Sequence, residues 1–181
     1  MSPTREQYPL SPKKIIKKTI AGTWAWIIVL AILFVMMVAF LGQIPNASEY
    51  YPLFTIVFLV LLIIPPILYY IYQRYYFAAY FYDLTDDHIV IRKGPITPQE
   101  ITIPYERIQD VYMDQDILDR MFGLYDVHLS SATYTSGMEA HIDGVEKPAA
   151  DGLRKQILDT VTARISRKPQ NNIPAQATQN Q

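Results

Sequence analysis

The side chains best suited to chemistry lie in two short segments, YDVHLSS at residues 125–131 and MEAHID at residues 138–143. Alternating side chains of two strands put their apolar positions on one face and their polar positions on the other. A hairpin turning near Tyr134 and Thr135 would then pair His128 with His141 and Asp126 with Asp143. Imidazole and carboxylate groups are ligands that zinc accepts. These four residues are therefore the candidate metal ligands of the chain.

An ordinary polar outer face, or a surface for a neighbouring subunit, accounts for the same four residues more simply. Flat strands splay their side chains, and nothing in the sequence indicates groups that would hold the imidazoles in place. We therefore predict no metal and no other cofactor.

The sequence lacks the residues that other types of reaction require. The chain has no cysteine, which excludes thiolate metal sites and cysteine nucleophiles. The acidic series Asp110, Asp114, Asp116 and Asp119 lacks the glycine and the terminal glutamate of an EF-hand, and no nucleotide-binding or hydrolase motif is present. We predict no enzyme, no catalytic residue and no small-molecule substrate. The net charge of -1 gives no basic field for nucleic acid.

Two long apolar runs precede these polar segments. Residues 19–41 carry no charged side chain and reach roughly 34 Å as a helix, enough to cross a bilayer. Residues 51–72 are also free of charge and include Pro65 and Pro66, which we expect to bend or unwind a helix. Residues 42–50 are a short external loop. A cleaved signal peptide is disfavoured because the first run is too long. We predict a transmembrane hairpin in the cell membrane.

The charge distribution predicts how this hairpin is oriented. Residues 1–18 form a basic N-terminus with a net charge of +4, the loop has no Lys or Arg, and Arg74 follows the second run. Positive charge stays inside, so both termini are expected in the cytoplasm. Basic and aromatic side chains near the cytoplasmic ends of both spans are predicted to meet the lipid headgroups. They are Lys13, Lys14, Lys17, Lys18, Trp24, Trp26, Tyr69, Tyr70 and Tyr72.

Residues 74–167 are predicted to form a cytoplasmic β-rich domain. Period-two alternation indicates strands at residues 76–84, 88–93, 100–104, 108–112, 125–131 and 138–143. A short helix is expected between an Asp116 cap and Gly123. A longer helix starts near Pro148 and carries a stripe of Leu153, Ile157, Val161 and Ile165. The expected fold is a small barrel or sandwich capped by that helix, followed by a disordered tail at residues 168–181.

The segments YDLTDDHIVIRKG, ITIPYERIQDV and LDRMFGLYDVHLSS, with the terminal helix, resemble the bacterial pleckstrin-homology (PH) domains of YdbS-like membrane proteins. The similarity covers residues 51–165 and includes the paired spans. It implies a PH-like fold, no known catalytic activity and a tendency to self-associate. The first hairpin turn carries Asp86 and Asp87, whereas PH domains that bind inositol lipids usually have basic residues there.

Two functions remain open from the sequence. The favoured one is a membrane-anchored, non-catalytic adaptor or scaffold that binds itself or a second membrane protein. The alternative is a sensor of anionic lipid that uses the N-terminal lysines and the junction tyrosines.

Overall fold

The computed structural model describes residues 2–45, 47–131 and 140–167. Two long helices come first, and two small sheets and a terminal helix follow. In chain order the elements are α1 (Pro3–Gln7), α2 (Lys13–Leu41), a 3₁₀ turn (Ala47–Glu49), α3 (Tyr51–Ala79), β1 (Phe81–Leu84), β2 (His88–Lys93), β3 (Gln99–Pro104), a 3₁₀ turn (Tyr105–Arg107), β4 (Ile108–Asp114), α4 (Ile117–Phe122), β5 (Leu124–Ser131), β6 (Ala140–Glu146) and α5 (Lys147–Arg167).

The helices α2 and α3 form an antiparallel hairpin. The rings of Phe34 and Phe58 lie 4.4 Å apart between their centroids. Gly22 faces the ring of Tyr69 so closely that a Cβ atom there would lie 2.4 Å from the ring. Each helix has 29 residues and a length of about 43 Å. α2 starts before the first predicted span, and α3 ends after the second predicted span. Both helices continue into contacts with the β-rich domain.

Pro65 and Pro66 do not unwind α3, which is helical from Tyr51 to Ala79. Of the two expected outcomes, unwinding is therefore wrong, and a bend stays a prediction. The physical reason is that a carbonyl group freed by Pro65 receives a hydrogen bond from α2.

Two three-stranded antiparallel sheets form the domain, in the orders β1-β2-β3 and β4-β5-β6. They pack as a sandwich and do not close into a barrel. Ile89 pairs with Ile103 in the first sheet, and Val127 pairs with Ile142 in the second. All four of these side chains are buried. Between the sheets lies one hydrophobic core, which both α5 and the end of α3 cover.

The predicted terminal helix is present, and its apolar stripe is buried only along the first part. Leu153 and Ile157 are fully buried, Val161 packs at the edge of the core, and Ile165 is 62% exposed. The helix extends past the end of the sheets, so its last turn has no core to cover.

Residues 76–79 were expected to begin the first strand, and they are helical instead. The backbone N–H of Tyr80 still donates to the carbonyl of Tyr76, so α3 ends only there. The sixth strand continues to Glu146, beyond its predicted end. The predicted turn at Tyr134 and Thr135 and the predicted tail at residues 168–181 lie outside the described residues.

The N-terminal segment packs on the domain. The hydroxyl groups of Ser2 and Thr4 donate to Asp83 Oδ1 at 2.6 and 2.7 Å. Leu10 is buried and forms an isolated antiparallel β-bridge with Val145 of β6. The β-rich domain therefore uses residues from before the hairpin as well as from after it.

Candidate functional site

A set of lysines at the start of α2 meets a set of aspartates on the domain. The lysines at positions 13, 14, 17 and 18 recur at intervals of three and four, so they share one side of the helix. The aspartates come from α4, β5 and β6, and the hydrogen bonds of these elements determine where each carboxylate lies.

The short helix α4 holds two of the aspartates through its own cap. Asp116 Oδ1 accepts from the backbone N–H of Asp119, and Asp119 Oδ2 accepts from that of Asp116. Gly123 ends the helix with φ of 67°, a conformation that glycine adopts without strain. The predicted cap and stop of this helix are both confirmed.

Lys14 forms the most buried ion pair. Its Nζ lies 2.6 Å from Asp143 Oδ1 and 3.0 Å from the carbonyl oxygen of the same residue. The side chains of Lys14 and Asp143 are 3% and 6% exposed. Lys18 is 3.2 Å from the other oxygen of Asp143 and is 38% exposed. One carboxylate on β6 therefore binds two successive turns of α2.

Lys17 connects α2 to α4 and β5. Its Nζ lies 2.5 Å from Asp119, 3.0 Å from Asp116 and 3.9 Å from Asp126. The other oxygen of Asp126 accepts from the backbone N–H of Gly144 at 2.7 Å. We call Lys14, Lys17, Lys18, Asp116, Asp119, Asp126 and Asp143 the junction cluster.

Gly144 makes room for the Lys14 side chain. Its φ is +80°, and a Cβ atom there would lie 2.5 Å from Lys14 Cδ. A larger residue would therefore be strained and would push the lysine stem away.

The surroundings of Asp143 and Asp126 shift the pKa values of these two aspartates in opposite directions. Burial would raise the pKa of Asp143, but Lys14, Lys18 and Lys93 outweigh it and hold that pKa well below its ordinary value. Burial raises the pKa of Asp126, and the charges of Asp143 and Asp119 raise it further against the opposing effect of Lys17. The lysines therefore hold Asp143 as a full anion.

Tyr80 and Lys93 complete the polar contacts beside the cluster. Tyr80 is fully buried, its hydroxyl donates to the His141 carbonyl at 2.9 Å, and Lys14 Nζ lies 3.9 Å from its ring centroid. Lys93 Nζ lies 3.3 Å from His141 Nε2. Burial, with repulsion from Lys14 and Lys18, lowers the pKa of Lys93 to about 8 against the attraction of Asp143.

The two histidines pair as the symmetric hairpin register predicted. His128 is the partner of His141, and their rings stack with centroids 5.3 Å apart. His128 also stacks on Tyr112 at 4.9 Å. A strand irregularity between Tyr125 and Val127 displaces Asp126 from the register, so it does not pair with Asp143.

Only part of the predicted ligand set gathers in one place. Ligand atoms of Asp126, His128 and Asp114 lie within 4.8 Å of one another. Asp114 was not among the predicted ligands, although its register pairing with Asp126 at the end of β4 brings it there. Asp143 is bound by lysines, and His141 lies against Lys93. The prediction that these residues bind no metal stays a prediction.

The residues predicted to meet headgroups have different environments. Lys14 and Lys17 are buried in the junction cluster, and Lys13 is half-exposed beside Glu146 at 3.0 Å. Trp24 is 58% exposed, whereas the indole of Trp26 donates to α3. Tyr69 lies against Gly22, and Tyr70 and Tyr72 are exposed. The buried ion pairs of Lys14 and Lys17 count against headgroup contact for these two lysines, and membrane contact by the other residues stays a prediction.

The sequence carried a signal for the lysine–aspartate pairs. The N-terminus has a net charge of +4, and the chain from Arg74 onward has a net charge of -4. Complementary charge of this kind indicates contact, but it does not say which lysine meets which aspartate.

Comparison with known families gave one match. The model of a family described as bacterial PH domain matches residues 20–161, a stretch that includes most of α2, all of α3 and all six strands. No curated protein and no solved structure matches the chain.

Proposed function

This chain belongs to the bacterial PH domain family, and we propose that it is a membrane-anchored, non-catalytic adaptor. Its hairpin holds the PH-like domain at the cytoplasmic face of the cell membrane. There the domain binds a second copy of the chain or another membrane protein. PH-like domains are generally binding modules without catalytic activity.

The exposed apolar surface of α2 and α3 supports membrane anchoring. Within the most apolar windows of these helices, 11% and 0% of the residues are buried. A helix in a soluble core would be mostly buried, whereas Val35 and Phe40 are each 67% exposed. Lipid would cover these side chains at a gain of about 25 cal/mol per Å² of apolar area. Each helix is also long enough to span a bilayer with a turn or more to spare.

The junction cluster supports the placement of both ends on one side. The N-terminal lysines contact the domain that follows α3, so the N-terminus and the domain share one side of the bilayer. The short loop between the helices lies on the other side. Lys and Arg are concentrated at the domain end of the hairpin, which favours the cytoplasm for that end.

The burial of Lys14 and Lys17 is the single observation that carries the adaptor interpretation. Their ammonium groups bind protein carboxylates at 2.6 and 2.5 Å, which leaves them unavailable to lipid headgroups. The domain is thereby fixed to its membrane helix and would not approach and leave the bilayer as a reversible lipid sensor does. A fixed position suits a surface that must meet another membrane protein.

The first hairpin turn gives a second argument against an inositol-lipid sensor. Arg164 of α5 donates to Asp87 Oδ1 at 2.6 Å and to the carbonyl of Asp86. The turn therefore presents carboxylates and is held by the terminal helix. A phosphorylated headgroup would meet like charge there.

Exposed apolar side chains on α4 offer a surface for protein contact. Ile117 and Met121 are 81% and 74% exposed and lie one helical turn apart. A photo-reactive amino acid in place of Ile117, in native membranes, should yield an adduct with a protein of discrete mass. Ile96, which is 82% exposed between β2 and β3, is the matched control position and should not yield this adduct.

Sizing of the full chain in detergent completes this test. The adaptor interpretation predicts a dimer or a larger species at micromolar concentration, or a stable complex with the captured protein. A strictly monomeric chain whose Ile117 adducts are lipid alone would contradict it and would favour the lipid-sensor alternative.

A further inference from the structure

A groove of about 470 Å³ lies between the domain ends of the two long helices. The start of α2 and about the last three turns of α3 line it. Its lining residues are Pro12, Lys13, Ile15, Ile16, Tyr70, Arg74, Phe77 and Ala78. The groove lies beside the junction cluster and uses none of its residues.

The two cations of the groove, Arg74 and Lys13, lie between apolar residues, with Phe77 and Pro12 on the side toward the domain. Tyr70 and Ile16 lie at the end toward the predicted bilayer, and both are partly exposed. Arg74 follows Tyr70 by one helical turn, about 6 Å farther out. Lys13 lies on the opposite helix, also farther out than Ile16. The offset between Tyr70 and Arg74 is close to the thickness of the headgroup layer on each side of a bilayer, which is about 5 to 7 Å.

The two cations differ in how they are held. Arg74 is exposed and has no ion-pair partner within residues 2–45, 47–131 and 140–167. Lys13 pairs with Glu146 at 3.0 Å, with both side chains 51% exposed. An exposed pair of this kind contributes little, so Lys13 can exchange Glu146 for another anion.

We propose that this groove binds one anionic phospholipid, with its phosphate between Arg74 and Lys13 and its acyl chains along Ile16 and Tyr70. Arginine binds phosphate through two parallel N–H donors, and an apolar channel beneath it accepts the chains. The proposal rests on the proposed membrane hairpin and names a lipid partner for it. It places lipid recognition on the helices and not on the turns of the PH-like domain.

Native mass spectrometry of the full chain in detergent tests the site. The probes are phosphatidylglycerol and phosphatidylcholine with the same acyl chains. Both lipids have a phosphate, but Arg74 repels the choline cation of phosphatidylcholine, so the wild type should carry phosphatidylglycerol at least about fivefold more. Arg74→Gln should reduce this ratio to about one. Arg154→Gln removes the same charge from the exposed side of α5 and should leave the ratio unchanged.

The Glu146→Gln variant should change lipid binding in the opposite direction to Arg74→Gln. Without its carboxylate partner Lys13 is free for the phosphate, so the adduct with phosphatidylglycerol should increase about two- to threefold. A variant that merely damaged the fold would not gain binding. Arg74 and Glu146 are exposed, so both variants should keep the wild-type circular dichroism spectrum.

Equal binding of the two lipids by the wild type, or equal behaviour of Arg74→Gln and Arg154→Gln, would overturn the site. Loss of a dimer signal in Arg74→Gln with unchanged lipid adducts would assign the groove to a second copy and would also overturn it. Failure of the hairpin itself has a different signature, because alkaline carbonate would then release the wild-type chain from membranes.

Discussion

The indole N–H of Trp26 on α2 donates to the carbonyl oxygen of Leu61 on α3 at 3.2 Å. Leu61 lies four residues before Pro65, which has no N–H to donate to it. A side chain of one helix therefore supplies the hydrogen bond that the other helix lacks. This contact satisfies the carbonyl that Pro65 leaves unpaired, and such a carbonyl would be costly where water is absent.

A double-mutant cycle on this contact should show coupling. Trp26→Phe keeps a ring and removes the donor, so it should destabilise the hairpin by about 1 kcal/mol. In the background of Pro65→Leu, where the backbone N–H returns, the same substitution should cost much less. Unfolding in mixed detergent measures both values. An equal cost of Trp26→Phe in the two backgrounds would show that its hydrogen bond is irrelevant.

Lys14 should be far more important to stability than Lys18, although both bind Asp143. Lys14→Met leaves a buried carboxylate with one partially exposed partner, which predicts a loss of about 3 kcal/mol. Lys18→Met is the matched control and should cost less than about 1 kcal/mol. Thermal unfolding of the full chain compares them. Similar losses for the two variants would mean that burial does not determine the strength of these pairs.

Acid should remove the stabilisation that the Lys14–Asp143 ion pair provides. The pKa of Asp143 lies well below its unfolded value, so its stabilising effect is present above about pH 4 and is lost as the pH falls below that value. Lys14→Met should lose part of this dependence.

Gly144 and Gly123 provide a comparison of crowding with backbone strain alone. Both have positive φ, but a Cβ atom at Gly123 would have nothing within 4 Å, whereas one at Gly144 would collide with Lys14. Gly123→Ala should therefore cost about 1 to 2 kcal/mol, and Gly144→Ala should cost clearly more. Differential scanning calorimetry of the two variants measures this difference. Equal costs would show that Lys14 moves aside freely.

Stability should rise with pH just above neutrality because of Lys93. Its folded-state pKa of about 8 is below its ordinary value, so unfolding takes up a proton between about pH 8 and pH 10. Folding is therefore favoured as the pH rises through that interval, before tyrosine ionisation opposes it. Melting temperatures at about pH 7.5 and pH 9.2 test this, and Lys93→Met should reduce the rise, because the buried Lys14, whose pKa burial also lowers, keeps its own contribution. A flat profile in the wild type would contradict the lowered pKa.

Local patterns were enough to predict much of this fold. The charge-free runs predicted two helices, and Asp116 with Gly123 predicted both ends of α4. Period-two alternation placed β2 and also predicted the pairing of His128 with His141. In each case the signal depends on neighbours in the chain or on the simplest hairpin register.

The junction cluster was beyond such patterns. Lys14 and Asp143 are 129 positions apart, and their contact depends on how α2 lies across the second sheet. The segment YYFAAY at residues 75–80 was also difficult to assign, because its pattern fits a helix and a strand equally. Packing of Tyr76 and Phe77 against the core decides for the helix. Burial of a charged residue likewise depends on its partner, and the sequence alone left the lysines as surface groups.

The central claim is that a bilayer-spanning hairpin carries the domain on the cytoplasmic side. The chain has no cysteine, so single cysteines introduced as Ser48→Cys in the helix connection and Lys155→Cys on α5 report their own positions. The measurement is labelling by a membrane-impermeant maleimide in intact cells and after lysis. The account predicts that Ser48→Cys reacts in intact cells and that Lys155→Cys reacts only after lysis. Labelling of Lys155→Cys in intact cells would contradict it.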